Sequence, residues 1–205
     1  MKDIFKNYRY LFTDTVFLIG NGASRKGFDL STLVGRGTII GCNALYRDFT
    51  PDILIAQDSK ILAELMVNEY SGIVLTGKGN GNFKHKLVWK YVKSRTSGVY
   101  GLKFVTKIMC PSRCYVLGMD GYSGNVYVGT KNYTSEPTRF KKITDQYADI
   151  VRHTDIEIIN VNNKDTWNVD SSNYSFISYG SLAQLVERRP YKTDVSGSIP
   201  LRPTK

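Results

Sequence analysis

The stretch VFLIGNGAS, residues 16–24, runs four apolar residues into Gly-Asn-Gly, a small residue and a serine. Four apolar residues without alternation read as a strand covered on both faces. The two glycines after it mark a backbone that turns sharply and that something can approach closely. The motif is not a P-loop, because no Lys-Ser/Thr follows. Nor is it G-x-G-x-x-G, because Arg25, after Ser24, stands where a third glycine is due. A structural turn and a cradle for an anion both remain open on this reading.

Short apolar runs of the same kind recur at 38–42, 53–56, 73–76, 114–117 and 156–161, each rich in Ile, Val and Leu. Between them lie SKILAELMVNEY, TSGVYGLKFVTKIM and RFKKITDQYADIVRH, with apolar residues three and four apart. Strand and helix alternate. The expected fold class is therefore α/β, a single domain with a Rossmann-like, mainly parallel sheet and helices on both faces. In such sheets ligands sit beyond the carboxyl ends of the strands, where helix N-termini and bare N–H groups converge. The polar residues just past each strand are then the candidates: Asn21 and Ser24, Asn43, Gln57 and Asp58, Asp120 and Tyr122.

The chain has 205 residues, is 41% hydrophobic and carries a formal charge of +10. It contains no run of roughly 20 apolar residues, so no membrane partner is expected, and its N-terminus lacks a signal-type core. Three cysteines, an odd number, argue for reduced thiols and a cytoplasmic setting, the host cytoplasm for a phage product. CPSRC has no second Cys or His pair, and with two histidines in the chain no metal is expected. Both CPSRC cysteines read as buried thiols.

Residues 180–205, GSLAQLVERRPYKTDVSGSIPLRPTK, lack a sustained apolar period and read better as translated RNA. Gly180 and Ser181 plus one base can be written GGGTCGT, and the end of the PLRP stretch ACGACCC, its complement. LAQLVE fits the D-arm TTAGCTCAATTGGTAGAG, GSIP fits the T-arm GGTTCGATTCC, and the final Thr-Lys begins with ACCA. The reading frame thus runs through a tRNA gene, which points to a bacteriophage or another mobile element. The expected division is 1–170 for a nucleotide-binding α/β domain and 171–205 for a tail, with 180–205 mobile or only adventitiously docked. Without the tail's five cations and two anions the body keeps 23 Lys+Arg against 16 Asp+Glu, still +7. A basic body suits an anionic ligand.

The strand-end motifs each admit two readings. Asn43 in GCNALYRDF offers a donor and an acceptor to a base or sugar edge, or caps the following helix. Thr96, Ser97 and Gly98 open a helix, as an N-cap or as an anion site. Tyr122, Tyr127 and Tyr133, around LGMDGY and the loop after it, offer hydroxyls to a phosphate or are surface aromatics. Residues 78–95, KGNGNFKHKLVWKYVKSR, interleave cations with Phe83, Trp89 and Tyr91; this is a nucleic-acid stripe or, more commonly, an amphipathic helix with its lysines in water.

GNGAS, CNALY, TSGVYGLKF and LGMDGY, in this order, resemble the bacterial sialyltransferases of glycosyltransferase family 42. With GNG-x-SR, GCNALYRDF and NVY-x-GT-x-NY they look closer still to a group of phage proteins. The resemblance covers 16–161. It implies the sialyltransferase variant of the Rossmann-like fold, close to the GT-A type, and a CMP-type nucleotide sugar held by Gly20, Asn21, Gly22, Ser24, Asn43, Thr96, Ser97 and Gly98. It further implies that Tyr122 and Tyr127 stabilise the departing phosphate. The family's lid histidine has no counterpart between Ser123 and Phe140, which leaves Asp58 and Asp120 as candidate bases. The expected function is glycosyl transfer from a nucleotide sugar, with no cofactor, to a glycan or a modified phage DNA base. One alternative is an inactive phage protein that sequesters a nucleotide; another is a DNA binder acting through 78–95. A homo-oligomer is compatible with either.

Overall fold

The computed structural model describes residues 2–77, 82–90, 96–121, 124–134 and 143–188. Eight strands form one open sheet: β1 (Thr15–Ile19), β2 (Thr38–Cys42), β3 (Ile53–Ile55), β4 (Val74–Thr76), β5 (Lys86–Val88), β6 (Arg113–Leu117), β7 (Glu157–Val161) and β8 (Tyr174–Ile177). Their spatial order is β5-β4-β3-β2-β1-β6-β7-β8, and every neighbouring pair is parallel. The chain winds outward from β1 to β5, then returns to place β6 on the other side of β1. Beside β1 the order reverses, which is where open α/β sheets carry their ligand crevice.

Alternate side chains of each central strand enter different cores. Val16 and Leu18 of β1 pack with Ile40, Ile53, Ile55, Cys114 and Val116 in one cluster, and Phe17 and Ile19 with Ile39, Leu54, Tyr115 and Leu117 in the other. Both faces are thus covered, so the strands read as unbroken apolar runs rather than alternating ones. The first face is roofed by α2 (Ser97–Phe104), which continues as a π turn over Val105–Met109, and by α3 (Ile143–Arg152). The other carries α1 (Ser59–Val67), the short 3₁₀ turns after β1 and β2, and Leu182 of α4 (Tyr179–Arg188). The expected α/β class, single sheet and covered faces are what the molecule has.

Three readings need correction. Within 78–95 the described residues hold no amphipathic helix: Lys86–Val88 is the edge strand β5, and Phe83 and Trp89 are buried. An edge strand needs few apolar residues, so charge swamped its signal. Residues 78–81 and 91–95 lie outside the described residues. The sheet also runs past residue 170, because β8 pairs with β7 from Ile158↔Tyr174 to Val161↔Ile177. Beyond it, Leu182 is fully buried although it belongs to the stretch expected to dock only adventitiously. Finally, Cys110 is exposed, whereas Cys42 and Cys114 are buried. No helix among the described residues is long and apolar enough to cross a membrane.

Candidate functional site

The strand register places the first two candidates side by side. Ile19 pairs with Gly41, and Asn21 and Asn43 each follow two residues later, at the carboxyl ends of adjacent strands. Asn43 takes a left-handed backbone, φ 49°, which Asn tolerates better than most residues. Its Oδ1 accepts a 2.8 Å hydrogen bond from the hydroxyl of Ser97, the first residue of α2. Thr96 caps that helix by accepting from the Val99 amide at 3.2 Å. The first-turn N–H groups of α2 therefore converge on the end of β2, where the positive end of the helix dipole favours an anion.

The glycines have packing reasons of their own. A Cβ on Gly20 would lie 2.3 Å from the Gly118 carbonyl oxygen, and one on Gly22 would lie 2.6 Å from both that oxygen and Asp120 Oδ2. The Gly20 and Gly22 amides donate at 2.7 Å to Leu117 and Gly118 carbonyls. Gly-Asn-Gly thus lets the loops after β1 and β6 lie against each other at the point where the strand order reverses. Gly98 likewise sits 2.6 Å from the Tyr147 hydroxyl and 2.8 Å from Met119 Sδ, measured from where a Cβ would stand.

The carboxylates weighed as bases are committed elsewhere. Asp120, 7% exposed, accepts from the Ser24 amide at 2.9 Å, from the Ser24 hydroxyl, and from Asn162 at 3.4 Å. Asp58 caps α1 by accepting from the Lys60 amide at 2.8 Å. Tyr127, 7% exposed, donates its hydroxyl to Asp48 at 2.5 Å and accepts from Arg25 at 2.9 Å. Its one O–H is thus given to Asp48. Tyr122 lies outside the described residues. His85 immediately precedes β5 and meets Tyr8, while exposed His153 follows α3. Both therefore belong to the amino edge of the sheet, away from the asparagines.

The roof of this edge is built by residues with no local sequence signature of a site. Arg25 and Arg47 grip the loop over 124–134. Arg25 Nε donates to the Gly20 carbonyl at 2.8 Å while its guanidinium reaches Tyr127. Arg47 binds buried Glu64 in bidentate fashion at 2.8 and 2.7 Å, then reaches Thr130 Oγ1 at 2.7 Å and the Lys131 carbonyl at 2.6 Å. Glu64 also accepts from Asn132 at 2.5 Å and from the Tyr46 hydroxyl. Burial pushes the Glu64 carboxyl upward, but the hydrogen bonds and charge of Arg47, with Tyr46 and Asn132, outweigh it and leave the group below its usual range. The signal for this clamp was a glutamate standing in the apolar stripe Ile61, Leu62, Leu65 of α1.

The clamped loop delivers Tyr133 against Asn21. Burial pushes its hydroxyl up to about 12, so it stays a neutral donor. Asn21 approaches that hydroxyl without well-formed hydrogen-bond geometry, leaving Asn21 Oδ1 and the Tyr133 hydroxyl buried and without a partner among the described residues. Gln57 Nε2, past β3, is in the same state. Such groups are uncommon in folded proteins and cost free energy until something satisfies them.

No protein-family model matches the sequence, and no curated protein matches it. Among solved structures the chain is similar to the sialyltransferase CstII from Campylobacter jejuni, in complex with a substrate analogue, cytidine-5'-monophosphate. The identity is 18%, the match covers 80% of this chain and 88% of that one, and the TM-score is 0.47.

Proposed function

We propose that the chain holds a nucleoside phosphate, carried as a nucleotide-activated sugar, at the carboxyl edge of β1 and β2, and that it acts as a glycosyltransferase-type protein. The observation that carries this reading is the Asn43–Ser97 hydrogen bond, which ties a strand-end amide to a helix N-terminus. With Oδ1 turned to Ser97, the Asn43 NH₂ group remains to donate to a base or sugar oxygen, and the α2 amides face the phosphate. Asn21 supplies the acceptor beside it. The motif resemblance and the basic body support the same ligand class. The acceptor of the sugar is a glycan or a modified base in phage DNA, and Tyr122 retains its proposed part at the leaving phosphate.

A second reading, binding without turnover, is favoured by one observation. Both histidines lie at the opposite edge, and Asp58, Asp120 and Tyr127 are each engaged in holding the fold. Thermal-shift titration with CMP, UDP, GDP and cyclic nucleotides tests the shared core of both readings, and stabilisation by a mononucleotide is expected. Asn43→Ala should abolish that response, and an unchanged response removes Asn43 from the site. Release of free sugar from a nucleotide sugar by purified protein selects the enzyme. Tight binding with no turnover selects the holder.

A further inference from the structure

We infer that residues 180–205 are the in-frame translation of an entire tRNA gene, anticodon arm included, and that the protein has built the first part of it into its fold as α4. The acceptor, D-arm and T-arm matches leave the middle of the segment, Arg188 to Val195, unexplained. The genetic code lets that stretch close the missing arm. Arg188 as CGC, Arg189 as CGT and Pro190 as CCT give the strand CCGTC followed by CT. Lys192 as AAG, Thr193 as ACG and the first base of the Asp194 codon then supply GACGG, its full complement. Between the strands stands a seven-base loop, CTTAYAA, with T ahead of the anticodon and A after it. The anticodon coincides with the codon of Tyr191, TAC or TAT, so the RNA reads valine GUA or isoleucine AUA codons.

The T-stem then fixes codons that the protein leaves free. Ser196 must be AGC or AGT, Pro200 must end in a purine, and Leu201 must be TTA or CTA. With these choices four stems pair without a mismatch. An unconstrained peptide has no reason to permit this at every position.

The structure shows what the protein makes of such a segment. The D-arm is translated as Leu-Ala-Gln-Leu-Val-Glu, all but one of them strong helix formers, and α4 spans Tyr179–Arg188. Ser178 caps it, accepting from the Ser181 amide at 3.2 Å. Leu182, whose codon joins the acceptor stem to the D-arm, is fully buried in the second core. Tyr179 just ahead of the segment lies tilted against Phe28, ring centres 5.4 Å apart, and meets the Ser24 hydroxyl at 3.2 Å. A piece of sequence dictated by RNA pairing thus completes one face of the sheet through Leu182.

The test has a nucleic-acid arm and a protein arm. In the coding DNA, AGC or AGT at Ser196, a final purine at Pro200 and TTA or CTA at Leu201 are expected, and TCN at Ser196 or another third base at Leu201 overturns the gene assignment. Recoding 180–205 synonymously should abolish the mature RNA on a northern blot while leaving the protein's melting temperature unchanged. A stop codon in place of Gly180, and separately Leu182→Asp in the full chain, should each lower Tm by about 5 °C or more. If neither lowers it, α4 is not part of the fold's stability and the structural half is wrong, whatever the codons show.

Discussion

At the scale of single residues, several positions that read as ligand contacts turn out to hold the fold. Gly98 is the clearest. Alanine is the better helix former by about 1 kcal/mol, yet a methyl group there meets the Tyr147 hydroxyl and Met119. Gly98→Ala is expected to destabilise by about 1–3 kcal/mol through overpacking. The same substitution made in Tyr147→Phe should cost much less, since the nearest atom is gone and methionine adapts. Urea unfolding of the four proteins of this cycle measures the difference, and equal costs in both backgrounds would show that the contact is not the cause. Glu64 gives a pH prediction. Its carboxyl is held below the ordinary range in the folded state, so its contribution is complete above the unfolded value and is lost as pH falls through the folded one. Melting temperatures across the acid range should therefore fall less steeply in Glu64→Gln than in the wild type, from a lower starting stability.

At the scale of elements, the loop over 124–134 is held by side chains from the far side of the sequence rather than by a core of its own. Arg47 joins Glu64 to Thr130 and Lys131, and lies 5.7 Å from the ring centres of both Tyr127 and Tyr133. Arg47→Ala leaves a buried carboxylate without its cation, at a cost of about 3–5 kcal/mol. Hydrogen exchange should then quicken at the Tyr127, Val128 and Gly129 amides ahead of the central strands. Uniform quickening throughout the sheet would mean that the clamp serves global stability alone. This clamp was not legible in the sequence because its partners are separated by 17 to 84 positions, and only a glutamate in the apolar stripe of α1 pointed to it. The edge strands were hidden for a different reason. Tyr174–Ile177 keeps its residues half-buried or exposed, and Lys86–Val88 buries only Leu87, so neither shows the unbroken apolar run that marked the central strands.

At the scale of the molecule, what the sequence made readable was the consequence of burial on both faces. Wherever a strand is covered twice, as at β1, β2 and β6, its apolar run fixed its position to within a residue. Looking one or two positions past such a strand then located Asn43 and Asn21. Ser97 was readable as the start of an amphipathic helix, but its hydrogen bond to Asn43 depends on how α2 crosses β1 and β2, which no local pattern records. Close approach was readable at the glycines, and the group that lies against them is the loop after β6. The whole architecture therefore gathers amides, helix N-terminus and clamped tyrosine at one edge while keeping its histidines at the other.

Difference electron density from crystals soaked with CMP is the most direct measurement. A nucleotide lying beyond β1 and β2, with its phosphate at the Ser97 and Gly98 amides and its polar ring or ribose atoms within about 3.2 Å of the Asn21 and Asn43 side chains, is the predicted result. A nucleotide bound elsewhere on the molecule, with this edge unchanged, would contradict it.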